Sequence, residues 1–193
     1  MIKRKQWSAG ITPKRVVKHP VTAAGGAVDT VVLHHSVTGS EPFETVLRSI
    51  ERHHISGEFY DIAYNFLMND KYTAEGRGAF VQGGATGAGM DASSLSICVL
   101  GDYETDGKHT VSADLVDGLA GLLVELVKMG VVAPGFNLAA HSDFKATACC
   151  GVRLKAEIPR VMRGVHAAIS GVAEPRKLTD SQKLAAIKTI LEG

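Results

Sequence analysis

Two histidines and a cysteine, far apart in the 193-residue chain, carry side chains that are good ligands for zinc. His141 and Cys149 stand eight positions apart, which is too far for one face of a helix, so a loop must bring them together. A catalytic zinc needs a third protein ligand, and the best candidate comes from the His34–His35 pair at the end of an apolar run. Ligation by His34, His141 and Cys149 would leave a fourth position open to water, which is typical of a hydrolytic zinc site rather than a structural one.

The strands that precede the two histidines must position these side chains. Residues 29–36 are rich in β-branched residues and predict a strand whose alternation puts His34 and His35 on opposite faces. The two histidines therefore cannot do the same job. A short strand predicted over 137–141 leads into His141, so two strand ends would offer the two imidazoles and the following loop would offer the thiol.

Strands and helices alternate along the chain, which predicts an α/β fold: a single domain with a central mixed β-sheet flanked by helices. Further strands are predicted over 59–68, 71–76 and 95–100, and helices over 42–55, 113–129, 153–170 and 179–191. The domain is expected to span residues 1–172 and to begin with an irregular arm, 1–28, which Trp7 holds to the core. Residues 173–193 are expected to form a linker and the last helix.

Composition restricts the class of protein. Hydrophobic residues make up 45% and charged residues 21% of the chain, as in ordinary soluble globular proteins. The formal net charge of +1 gives no reason to propose a nucleic-acid partner, and no apolar run approaches the roughly 20 residues of a membrane span. We expect a monomer. Because no apolar segment follows the basic N-terminus, no secretory signal is predicted, and synthesis in the cytoplasm with another exit route is expected.

The other cysteines and histidines have structural interpretations. Three cysteines argue against a disulfide framework, and Cys98 is expected to act as a small hydrophobe in a buried strand. His53 and His54 end a predicted helix, where a cationic side chain complements the helix dipole. The isolated histidines are interpreted as surface residues: His19, His109 and His166.

Three stretches of the chain form an ordered set of motifs. They are Val-Leu-His-His-Ser at 32–36, Asp-Ile-Ala-Tyr-Asn-Phe at 61–66 followed by Ala-Glu-Gly-Arg-Gly at 74–78, and the segment from His141 to Gly151. In this order they resemble the zinc-dependent N-acetylmuramoyl-L-alanine amidases, a family that includes bacteriophage lysozyme-type amidases and the peptidoglycan recognition proteins. With weaker matches near Trp7 and Gly101, the resemblance covers residues from about 5 to about 155.

This resemblance implies a function and a site. It implies one catalytic zinc ion held by His34, His141 and Cys149, with Tyr64 as the catalytic tyrosine and Thr147 in the position of a catalytic lysine or threonine. The family hydrolyses the amide that joins the lactyl group of N-acetylmuramic acid to L-alanine, so bacterial peptidoglycan is the expected partner. The expected role is that of a phage endolysin, which lyses the bacterial cell wall.

The chain also departs from the family pattern. Cys150 stands where proline is usual, so a second thiol would be available to compete for the metal. In the glycine-rich stretch 76–94, which is expected to be a long loop lining a cleft, Thr86 stands where many members have histidine. A polar contact on the substrate side is therefore expected to be altered. Thr147 brings no charge, unlike lysine, and a weaker effect on the oxyanion is expected.

Two alternatives remain open on sequence grounds. A cytoplasmic amidase that recycles muropeptides would carry aspartate as the third ligand, and Cys149 argues against that interpretation. A non-catalytic module that only binds peptidoglycan would usually lack the cysteine ligand, so Cys149 and Tyr64 together argue against it as well.

Overall fold

The computed structural model describes residues 1–39, 41–87 and 89–170, and these form a five-stranded mixed β-sheet with helices on both faces. This architecture confirms the fold class that the sequence predicts. In chain order the elements are α1 (Arg4–Trp7), α2 (Pro20–Ala23), β1 (Val28–His35), α3 (Phe43–Ser56), β2 (Phe66–Met68), β3 (Thr73–Glu75), β4 (Ser94–Val99), α4 (Ala113–Lys128), β5 (Val132–Ala140), a 3₁₀ turn (His141–Asp143) and α5 (Val152–Ile169).

The sheet order determines which strand ends meet. The strands lie in the order β3-β2-β4-β1-β5, and β1 runs parallel to both β4 and β5. In this register Leu33 pairs with Ala140, so the residues that follow them, His34 and His141, lie at the same edge of the sheet. Parallel pairing thus joins two segments that are 107 residues apart in the sequence.

Two apolar layers cover the sheet and explain why successive residues of β1 point to different surroundings. Val31 and Leu33 face the layer that α4 and α5 cover, whereas the opposite face packs under α3. Alternation along β1 therefore directs the side chain of His34 towards the α3 side. The α3-side layer includes Trp7, Leu47, Ile50, Ile62, Leu67 and Cys98.

Several predicted boundaries need correction. Only Phe66–Met68 of the predicted strand 59–68 is a strand, because the carbonyl groups of Asp61 and Ile62 accept hydrogen bonds from the Arg77 guanidinium instead of a neighbouring strand. The last strand is longer than the predicted 137–141, since it begins at Val132.

The N-terminal arm is more ordered than predicted, since it contains α1 and α2. Trp7 is completely buried, and its indole N–H donates to the carbonyl of Glu75 at 2.9 Å, which confirms that it holds the arm to the core. The predicted linker and last helix lie outside the described residues. In the part of the chain that is described, none of the helices has the length and apolar character needed to cross a bilayer.

Candidate metal centre

His34, His141 and Cys149 lie together at the edge of the sheet. His34 is the penultimate residue of β1, and His141 directly follows β5. The loop after His141 folds back, with the amide of Ser142 donating to the carbonyl of Cys149 at 2.6 Å, and this brings the thiol to the two imidazoles. One ligand atom from each of the three side chains lies within 4.8 Å of the others. This cluster could hold a metal ion.

The surroundings of the three side chains fit a cation. His141 Nε2 is buried and has no hydrogen-bond partner among the described residues, which is costly for a polar atom unless something binds it. Cys149 Sγ lies 3.7 Å from His34 Nδ1 and accepts the backbone N–H of His35 at 3.3 Å. Two imidazoles and a thiol are a donor set suited to zinc.

Electrostatics favour the neutral forms of both imidazoles. Burial, together with the neighbouring His141 and His35, lowers the pKa of His34 to about 3. Burial also lowers the pKa of His141. Burial raises the pKa of the Cys149 thiol to about 11, against the opposing effect of the His35 amide. The histidines are therefore ready to ligate at neutral pH, whereas the thiol needs a bound cation to ionise.

Tyr64 lies in the loop before β2, with its ring centroid 5.3 Å from that of His34. Its carbonyl accepts the amide of Arg77 at 3.0 Å, and a Cβ atom at Gly76 would collide with the same carbonyl, so glycine is required there. Burial raises the pKa of the phenol well above its usual value, and the neighbouring Cys98 and Cys149 thiols act in the same direction. Tyr64 therefore stays protonated and can act as a hydrogen-bond donor.

Thr147 lies at the exposed rim of the same site. Its hydroxyl oxygen accepts the backbone N–H of Cys149 at 3.3 Å, which leaves the hydroxyl hydrogen free to donate. The structure thus places both predicted catalytic residues, Tyr64 and Thr147, in the lining of the cavity that holds the three predicted ligands.

The cavity has a volume of about 320 Å³. Among the described residues of its lining, the only side chains that can titrate are those of histidine, tyrosine and cysteine residues. Asp, Glu, Lys and Arg are absent from the lining formed by the described residues, so a substrate would meet mainly hydrogen-bonding and small apolar groups. The lining comprises His34, His35, Val37, His54, Phe59, Ala63, Tyr64, Ala85, His141, Thr147, Ala148 and Cys149.

Two histidines that the sequence assigns to the surface or to a charged helix end are buried. His54, in the last turn of α3, lines the cavity, and its Nδ1 accepts the backbone N–H of Ala63 at 3.0 Å. Burial lowers the pKa of His54 to about 4, so the side chain is neutral and the predicted dipole interaction of a cation is wrong. His19 is completely buried and contacts Thr22 and Ser94 through its two ring nitrogens, so its surface assignment is also wrong.

Cys150 and Thr86, the residues at two positions that depart from the family pattern, also lie elsewhere than expected. Cys150 is completely buried in the layer beneath α4 and α5, so its thiol does not compete at the cavity. Thr86 is 3% exposed and faces the back of His34 instead of the substrate side, with Oγ1 3.4 Å from Nε2. The sequence around Thr86, a polar residue among glycines, does not predict that its side chain is buried.

Comparisons with known proteins agree with this fold. Peptidoglycan-recognition protein SC1a/b of Drosophila simulans is 31% identical over 144 residues, which cover 70% of this chain and 75% of that protein. A tyrosine-to-phenylalanine mutant of Drosophila PGRP-LB in complex with tracheal cytotoxin is similar at a TM-score of 0.70 and 26% identity, over 81% of this chain and 91% of that one.

A second solved structure gives the same result. Peptidoglycan recognition protein-LE in complex with tracheal cytotoxin, a monomeric diaminopimelic acid-type peptidoglycan, has a TM-score of 0.68 and 28% identity, over 83% of this chain and 92% of that one. No protein-family model matches the chain. The chain has the peptidoglycan-recognition and amidase fold, and it belongs to the peptidoglycan-recognition protein family.

Proposed function

We propose that the protein is a zinc-dependent N-acetylmuramoyl-L-alanine amidase that cleaves the bond between the lactyl group and L-alanine in bacterial peptidoglycan. The observation that carries this proposal is the convergence of His34, His141 and Cys149, with the buried Nε2 of His141 lacking a partner among the described residues. Zinc is the ion that we assign to this donor set.

The cavity residues have the chemistry that amide hydrolysis requires. A bound Zn²⁺ supplies Lewis acidity, which polarises a carbonyl and acidifies water. The protonated phenol of Tyr64 can donate to the oxyanion that develops on the scissile carbonyl, and the free hydroxyl hydrogen of Thr147 can do the same. The small side chains of Ala63, Ala85 and Ala148 leave room for a peptide backbone in the cavity.

The peptidoglycan substrate is supported by the relatives. Two similar structures are complexes with tracheal cytotoxin, a monomeric diaminopimelic acid-type peptidoglycan. We extend the proposal to a bacteriolytic role at the cell wall, as in the phage amidases that the motifs resemble.

Mass analysis of peptidoglycan digested by the purified protein tests the reaction. We expect free lactyl carboxylates on muramic acid and new L-alanine amino termini, together with one zinc ion per chain by elemental analysis. Cys149→Ala serves as the matched control and should yield neither product nor stoichiometric zinc.

A second candidate function is peptidoglycan binding without hydrolysis, which the complexes of the relatives with tracheal cytotoxin also support. The two functions give different results in the same assay. A binding module would retain peptidoglycan and hold no stoichiometric zinc, and the muropeptides would be recovered uncleaved.

A further inference from the structure

The glycine-rich loop before β4 carries one polar side chain into the interior behind the candidate metal centre. Thr86 is 3% exposed, and its Oγ1 lies 3.4 Å from His34 Nε2 and 3.1 Å from the hydroxyl of Ser96. Thr86 is not part of the cavity lining, so it contacts the candidate ligand His34 from the side away from the cavity.

The two ring nitrogens of His34 have different neighbours. Nδ1 faces Cys149 Sγ at 3.7 Å, whereas Nε2 faces the Thr86 hydroxyl. A neutral imidazole that ligates through Nδ1 must carry its hydrogen on Nε2, and that N–H needs an acceptor when it is buried. The Thr86 hydroxyl can accept this hydrogen and still donate its own to Ser96 Oγ.

Hydrogen bonds from its backbone hold the loop that carries Thr86 in place. The carboxylate of Asp91 accepts the backbone N–H groups of Thr86 at 3.0 Å and Gly87 at 3.3 Å. On the other side, the backbone N–H of Ser96 donates to Asn65 Oδ1 at 2.9 Å, which fixes the partner of the hydroxyl. Thr86 is thus fixed through its main chain and through its side chain.

We propose that Thr86 is a positioning residue for the candidate metal ligand His34. Its hydroxyl selects the tautomer of His34 that carries hydrogen on Nε2 and leaves Nδ1 bare on the side of Cys149. The inference rests on the proposed zinc site, and it concerns the tautomer of His34, which can be measured in the metal-free protein.

The tautomer of His34 in the metal-free wild-type protein gives a direct test that needs no variant. Nitrogen-15 NMR of imidazole-labelled protein after chelation should show hydrogen on Nε2 and a bare Nδ1. Hydrogen on Nδ1, or an even mixture of the two tautomers, would overturn the proposal. Because no metal is present, this result does not depend on whether the protein is an amidase.

Variants then test the consequence for metal binding. Thr86→Val keeps the shape but removes the hydroxyl, and we expect it to weaken zinc binding roughly 10- to 100-fold in a chelator competition assay. Thr86→Ser keeps the hydroxyl and should retain most of the affinity. Unchanged zinc affinity in Thr86→Val would overturn the proposal, as would an equal loss in Thr86→Ser.

Thr22→Val is the matched control for the loss of a buried threonine hydroxyl. Thr22 is also 3% exposed, and its hydroxyl donates to the carbonyl of Ala79 at 2.5 Å, away from the site. This variant should lose stability but bind zinc like the wild type. Weaker zinc binding would show that losing any buried threonine hydroxyl has the effect seen at Thr86. If the wild type binds no zinc at all, the proposed function fails, and the His34 tautomer still decides the role of Thr86.

Discussion

Cys149 and Cys150 are adjacent in the sequence, yet their thiols have different surroundings. Cys149 lines the cavity, whereas Cys150 is completely buried beneath α4 and α5. Burial raises the pKa of both thiols, to about 11 for Cys149 and about 12 for Cys150. Neither thiol ionises readily on its own, but only Cys149 has partner ligands near enough to share a cation.

Replacing each cysteine in turn separates the two roles. We expect Cys149→Ala to abolish tight zinc binding and wall hydrolysis, because two imidazoles alone hold zinc weakly. Cys150→Ala should keep most of both and cost about 1 kcal/mol in the free energy of unfolding, since it leaves a small cavity. Zinc content, wall lysis and urea unfolding provide the measurements. Equal loss of zinc in the two variants would show that Cys149 is not the specific sulfur ligand.

Tyr64 makes a second prediction at the scale of the residue. Its phenol is protonated and lies beside the candidate ligands, so Tyr64→Phe removes a donor without removing a ligand. We expect turnover of peptidoglycan to fall by a factor on the order of 10² to 10³, with zinc content unchanged.

Tyr60→Phe is the control for this substitution, because Tyr60 is 49% exposed and lies outside the cavity lining. Its turnover should match that of the wild type. Normal turnover in Tyr64→Phe would remove Tyr64 from the mechanism, whereas loss of zinc would reassign it to metal binding.

At the scale of the element, the sequence predicts the ends of the two strands that carry His34 and lead into His141. The β-branched run before His34 and the apolar run before His141 predict strands, and parallel pairing of Leu33 with Ala140 brings the two ends together. Local periodicity is sufficient here because the residues directly before each histidine are buried in their strands. Periodicity alone does not identify the residues that share a site with the two histidines. The order of the motifs, which resembles that of the amidase family, indicates them.

Local pattern fails where a side chain replaces a strand as the hydrogen-bond partner. Residues 59–65 are apolar and aromatic enough to predict a strand, but the Arg77 guanidinium satisfies the carbonyl groups of Asp61 and Ile62 from a distant loop. The burial of His54, His19 and Thr86 also depends on contacts with remote segments. A window of neighbouring residues carries no information about such partners.

The end of α3 provides a prediction for the dependence of stability on pH. His54 Nδ1 accepts the Ala63 amide, which holds the helix end to the following loop. Burial, helped by the positive charges of His53 and Arg77 and opposed by Asp61, lowers the pKa of His54 to about 4 from 6.5. Since the folded state disfavours the proton, the stabilising contribution is fully present above pH 6.5 and is lost as the pH falls towards 4.

We expect the free energy of unfolding of the wild type to fall by about 3 kcal/mol more than that of His54→Asn between pH 7 and pH 4. The asparagine oxygen can replace Nδ1 as the acceptor, but it does not titrate. Urea unfolding in the presence of a chelator measures the difference, because metal loss then contributes to neither protein. Parallel pH profiles for the two proteins would assign the acid sensitivity to other groups.

At the scale of the whole molecule, the candidate metal centre joins three segments that the chain order separates. β1 supplies His34, the end of β5 supplies His141, and the loop before α5 supplies Cys149. An unfolded chain holds these groups far apart, so an ion that binds them binds the folded state. Metal binding should therefore stabilise the entire α/β domain rather than one loop.

Chelation tests this coupling. At a free zinc concentration of a hundred times Kd, binding adds about 2.7 kcal/mol to the free energy of unfolding, which corresponds to a rise in Tm of roughly 5–10 °C for a domain of this size. We expect calorimetry to show this rise for the wild type and its loss on treatment with a chelator. Cys149→Ala should show neither change, because its ligand set is incomplete. A wild-type Tm that is the same with zinc and with chelator would mean that the three side chains, although close together, do not hold an ion in the folded protein.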